Sequence, residues 1–157
     1  AICAKKMADE GKSVDEILAA LQLKTKYAFS FLYPDNFTQL SRSGRLSPMA
    51  ARMASMLKIK ALLCLDEYGK TVDKYGMCRT EAKIMKMIVD KFHDLGVNAK
   101  EHKIYISHAD NMGFAKKAKL LLQTTFHDIE VEINNLPAVL TCHGGIACCS
   151  LHVTYRI

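Results

Sequence analysis

Between residues 80 and 135 the chain runs through four segments of alternating hydrophobic period, and that alternation limits the fold more than any other feature. Thr80 stands where a helix can be capped, and Ile84, Met87, Ile88 and Phe92 follow at the three- and four-residue spacing of a buried helical face. "HKIYISHA" then alternates residue by residue, as a strand with one buried face does. Asp110 or Asn111 can cap a second helix through Ala115, Ala118 and Leu122, and "DIEVEIN" returns to period two with Ile129, Val131 and Ile133 on one side. A last alternation, "SLHVTYRI", sets Leu151, Val153, Tyr155 and Ile157 against His152, Thr154 and Arg156. Strands and helices interleaved in this way predict an α/β fold, a mixed β-sheet with helices packed on it.

The rest of the chain extends the pattern. "AICAKKMA" has helical spacing and stops at Gly11, a residue suited to the left-handed position after a helix. Ser13 and Glu16 form a capping box ahead of an apolar stripe of Ile17, Leu18 and Leu21. Residues 27–32 alternate and are rich in aromatics, which reads as a strand. Pro34 suits the first turn of a helix that ends near Gly44, and Ser47-Pro48 opens another carrying Met49, Met53, Met56 and Leu57. Residues 59–65 form a strand closed by a turn at "DEYG", and "TVDKYGMCR" forms an edge strand. "LPAVLTCHGG" reads as a short apolar strand running into a loop.

With 157 residues, half of them hydrophobic, the chain has enough material for one buried core and fits one domain. The longest apolar runs are far too short to span a bilayer. Six cysteines behind a start that lacks the layout of an export signal read as reduced thiols, so the cytoplasm is the expected compartment. The net charge of +6 is spread without a block of five like charges and without basic residues interleaved with aromatics, so no nucleic-acid partner is expected. There is no Walker-type loop and no dinucleotide fingerprint.

"TCHGGIACCSLH", residues 141–152, concentrates the chemistry. A metal site would draw on Cys142, His143, Cys148, Cys149 and His152, but the adjacent cysteines are poorly spaced to face one ion. A thiol nucleophile would need a base beside it, and Cys142 and His143 point apart on an extended chain. An anion-holding loop asks less: His143 supplies a donor, while Gly144 and Gly145 let backbone amides approach a carboxylate or phosphate. Elsewhere, Arg42 and Arg45 flank a glycine, and Lys74, Arg79 and Lys83 crowd a helix start, where an anion or a partner would offset them. Met49, Met53 and Met56 suit either a core or the wall of an apolar pocket.

Taken in order, these pieces resemble the C-terminal part of a DegV-family protein. The resemblance is carried by Leu40 with Ser43-Gly44-Arg45-Leu46-Ser47, by residues 57–61, by Gly69-Lys70, by Lys74 with Arg79-Thr80, and by His143, Gly144 and Gly145. It departs from the family pattern at Ser43, at Ala61, and at Ile146-Ala147, where family loops continue with Pro-Gly. The resemblance implies a two-domain fold with a long-chain fatty acid held between the domains. Residues 1–24 are then a helical segment continuing from a missing N-terminal domain, and residues 25–157 the C-terminal α/β domain. It also implies a non-catalytic, acyl-carrying subunit of a bacterial fatty-acid kinase system feeding phospholipid synthesis, which presents the carboxylate to a separate kinase subunit and makes transient membrane contact. His143, Gly144 and Gly145 inherit the carboxylate loop, Arg45 and Arg79 the acyl phosphate or the kinase contact, and Met49, Met53 and Leu57 the acyl pocket. No metal and no cofactor beyond the bound fatty acid is expected. The rival expectation is a metal- or thiol-dependent enzyme centred on Cys142, His143, Cys148 and Cys149.

Overall fold

The computed structural model describes residues 2–26, 28–35, 37–44, 59–65 and 72–156. The helix expected to carry Met49, Met53, Met56 and Leu57, the turn at 66–69, and Arg45 lie outside the described residues.

Among the described residues six strands form one sheet: β1 (Phe29–Tyr33), β2 (Lys60–Leu65), β3 (Val72–Cys78), β4 (His102–His108), β5 (Val131–Asn135) and β6 (Cys149–Tyr155). Their order is β3-β2-β1-β6-β4-β5, so β6, the last in the chain, sits at the centre between β1 and β4. All neighbours are antiparallel except β4 and β5, which run parallel. A parallel pair needs a crossover, and the helix between these two strands supplies it. The mixed sheet with packed helices is therefore the fold expected from the sequence.

One face of the sheet carries the main core. Phe31, Leu62, Ile104, Ile106, Leu151 and Val153 are buried beneath two helices, α4 (Glu81–Asp94) and α5 (Met112–Thr125). α4 contributes Ile84, Ile88 and Phe92, and α5 contributes Phe114, Ala115, Ala118 and Leu122. Each fully buried large side chain is worth about 1.5–3 kcal/mol, so this face dominates stability. Both helices start where the sequence places a cap: the Thr80 hydroxyl accepts from the Lys83 amide, and the Asn111 side chain accepts from the Phe114 amide.

The opposite face, more sparsely covered among the described residues, holds the site. Ser30, Leu32, Ala61, Leu63, Ser150 and His152 project there by the period-two alternation of β1, β2 and β6. The short helix α3 (Thr38–Arg42) sets Leu40 over Ala61 and Leu63, with Phe37 beside it. Two N-terminal helices, α1 (Ile2–Asp9) and α2 (Val14–Lys26), pack on each other, and α2 touches β6. The capping box is present: the Ser13 amide donates to the Glu16 carboxylate at 2.8 Å, and the Glu16 amide returns to the Ser13 hydroxyl at 3.3 Å.

Some element bounds differ from expectation. β1 begins at Phe29, and α3 begins at Thr38 rather than in the turn after Pro34. The larger correction concerns "LPAVLTCHGG", which is not a strand. Residues Ala138–Gly144 form a helix, α6, entered through Pro137 at φ −56°. The Thr141 and Leu140 amides both donate to the Pro137 carbonyl, and the Thr141 hydroxyl donates back to the same turn. A continuous apolar run has no period to separate helix from strand. Here the bonds onto the Pro137 carbonyl close a helical turn within the segment itself.

Candidate functional site: the His143 end of an apolar cavity

α6 ends against the start of β6, and glycine makes that approach possible. A Cβ on Gly144 would lie 2.8 Å from Cys148 Sγ, closer than carbon and sulfur tolerate. Gly145 follows at φ +84°, left-handed backbone that glycine adopts at little cost, and it backs onto Gln39 of α3. The turn is completed by Ala147 at φ +62°, a conformation unusual for a residue with a side chain. It is held there from both sides. The Ala147 amide donates to the Ala109 carbonyl at 2.6 Å, and its own carbonyl accepts from Asn111 Nδ2 at 2.9 Å. The turn is thus held tight with Ile146-Ala147 in it.

Above this loop lies a cavity of about 480 Å³, within the range of small-molecule sites. Its floor is the second face of the sheet, with Leu32, Ser30, Ser150 and His152. α3 contributes Leu40, the β2–β3 end contributes Leu65 and Val72, and α6 contributes Leu140, His143 and Gly144. Most of this wall is apolar, and its polar side chains are few. His143 Nδ1 is buried without a hydrogen-bond partner among the described residues. An unsatisfied buried nitrogen costs about 1–3 kcal/mol. Of the three residues expected to form the carboxylate loop, His143 and Gly144 line the cavity, while Gly145 shapes the turn behind them.

The sequence reading missed the second polar position. Ser30 Oγ and His152 Nδ1 lie 2.6 Å apart across the β1–β6 pairing, and both face the cavity. Burial, and after it the charge of Lys24, holds His152 below the usual histidine range, which favours the neutral ring. The signal available in the sequence was the alternation that set His152 opposite Leu151. Its partner is 122 residues away and no local pattern names it.

The residues of the rival enzyme reading are dispersed. Cys142 is exposed, Cys148 packs with Ala109 and Leu136, and Cys149 belongs to the core on the other face of the sheet. Burial pushes the Cys148 and Cys149 thiols up to about 12, the opposite of what a nucleophile requires. Among the described residues no three His, Cys, Asp or Glu side chains are grouped to hold a metal ion. Arg79 is exposed at the end of β3 remote from Val72, and it does not line the cavity.

A model of the family described as "Uncharacterised protein, DegV family" matches residues 1–156. The chain belongs to the DegV family. A DegV domain-containing protein of Streptococcus pyogenes serotype M1 is 32% identical over 148 residues, covering 94% of this chain and 52% of the relative. The chain thus spans about half the length of the curated DegV relatives it matches. A fatty-acid-binding DegV-family protein from Streptococcus agalactiae superposes with a TM-score of 0.87 at 25% identity, over 99% of this chain and 54% of the other. A DegV-family protein from Eubacterium eligens loaded with heptadecanoic acid gives a TM-score of 0.86 at 21% identity, over 98% of this chain and 54% of the other, and shows that the fold is shared. Among the described residues no helix is long and apolar enough to cross a membrane.

Proposed function

We propose that this chain is a fatty-acid-binding module that holds a long acyl chain in the apolar cavity and its carboxylate at His143 and Gly144. The observation that carries this reading is that His143, whose buried Nδ1 has no hydrogen-bond partner among the described residues, lines an otherwise largely apolar 480 Å³ space. At about 0.8 kcal/mol per buried methylene, an acyl chain supplies most of the affinity, and the charged end needs only a few placed donors. The fatty-acid-binding relative from Streptococcus agalactiae supports the same ligand class.

Within this reading the chain is the non-catalytic, acyl-carrying subunit of a fatty-acid kinase system, working in the cytoplasm with transient contact to membrane lipid. A second domain, accounting for the other half of its relatives' length, completes the tunnel. Exposed Arg79, together with Arg45, contacts the acyl phosphate or the kinase subunit, and Met49, Met53 and Leu57 extend the acyl lining. The decisive experiment is titration of oleate into the purified protein and its His143→Ala variant. Loss of affinity by tenfold or more is expected, since a hydrogen bond to a charged group is worth about 1.5–3 kcal/mol. Unchanged affinity removes His143 from the role.

A further inference from the structure

The cavity has more polar chemistry than a plain fatty acid can use, and it lies away from the carboxylate loop. Ser30 and His152 sit opposite each other on β1 and β6, their side chains 2.6 Å apart. Ser150, two residues earlier on β6, faces the same space. Cys148 lies against Gly144 just before β6 begins at Cys149, and His152 is three residues along that strand, roughly 10 Å at the rise of an extended strand. A ligand with its carboxylate at His143 therefore meets the Ser30–His152 pair partway along its acyl chain.

We infer that this pair is a second recognition point, built for a hydroxyl on the acyl chain, so that the preferred ligand class is an oxygenated rather than a plain fatty acid. The inference rests on the fatty-acid reading above and adds to it the ligand class. Ser30 engages Nδ1 of His152, which leaves Nε2 and one side of the serine hydroxyl for a ligand. In one tautomer the serine donates and Nε2 carries a proton to offer. In the other, Nδ1 donates to the serine oxygen, the serine hydrogen is free, and Nε2 accepts. A ligand hydroxyl, donor and acceptor at once, satisfies the pair in either arrangement. A methylene at the same point satisfies neither, and strips water from both groups without replacement. The neutral ring also suits an uncharged hydroxyl better than a second carboxylate.

The test is a competition titration of stearate against a set of monohydroxystearates differing in hydroxyl position, on the protein with whatever flanking sequence its natural polypeptide carries. At least one hydroxy acid is expected to bind about tenfold more tightly than stearate. That ratio is expected to fall to about one in Ser30→Ala and in His152→Leu. If His152→Leu fails to fold, Ser30→Ala, which removes a single oxygen, decides the matter alone. Equal affinity for stearate and every hydroxystearate, or a preference that survives Ser30→Ala, overturns the inference and leaves the fatty-acid reading in place. Binding of neither class overturns that reading and the inference with it.

Discussion

Adding one methyl group at Gly144 tests the packing that seats His143. The new Cβ of Gly144→Ala would stand 2.8 Å from Cys148 Sγ and 3.3 Å from Cys148 Cβ, against an ordinary contact of about 3.5–4.0 Å. Both positions are buried, so neither atom can swing into solvent. Overpacking of this kind costs about 1–3 kcal/mol, and the better helix propensity of alanine returns at most about 1 kcal/mol. A net loss of about 1–2 kcal/mol is expected. Cys148→Ala removes the clashing sulfur but leaves a small void, at a cost of about 1 kcal/mol. If the sulfur is the obstacle, the double variant should be no less stable than Cys148→Ala alone, a coupling of about 1–3 kcal/mol in its favour. Urea unfolding followed by circular dichroism measures all four species, provided the slope m is constant across them. Additivity within about 0.5 kcal/mol would refute the proposed contact between α6 and the start of β6.

Ala147→Gly relieves a left-handed residue at φ +62°, worth about 1–2 kcal/mol, while adding about 0.4–1 kcal/mol of unfolded-chain entropy. The expected result is a rise of about 0.5–1 kcal/mol in urea-unfolding stability. Asn111 both caps α5 and ties down the Ala147 carbonyl, so Asn111→Ala should cost about 2 kcal/mol and weaken oleate binding. Asn111→Ser should recover the cap but not the tie, which a side-by-side denaturation series would resolve. His152 gives a pH signature. Its folded pKa lies below the unfolded value of about 6.5, so its contribution is complete above pH 6.5. As pH falls below that point the unfolded chain takes up the proton first, and stability is lost until the folded pKa is passed. His152→Leu should flatten the slope of stability as pH falls below 6.5, and an unchanged slope would contradict the assignment.

Most of the architecture was legible in the sequence because its determinants are local. The caps at Ser13, Thr80 and Asn111 bond within three residues, and the period-two strands need only their own alternation to show which face is buried. His143 and Gly144 stood out in the sequence as a donor beside a glycine pair, and both line the cavity, from the last turn of α6. The helical state of residues Ala138–Gly144 was not, since an apolar run beginning Leu-Pro carries no period.

By itself, the sequence determined the succession of elements, the buried faces of β4, β5 and β6, and the glycines on which a tight turn after His143 depends. Tertiary structure alone decided that β6 inserts between β1 and β4, which brings Ser30 to His152 and closes a cavity beneath α6. It also decided that Ala147 takes a glycine's backbone conformation, because bonds from Ala109 and Asn111 outweigh the residue's own preference. The physical reason is range. Caps and periods act over a few residues, whereas strand order, cavities and imposed backbone strain arise from contacts between segments that the linear sequence keeps far apart.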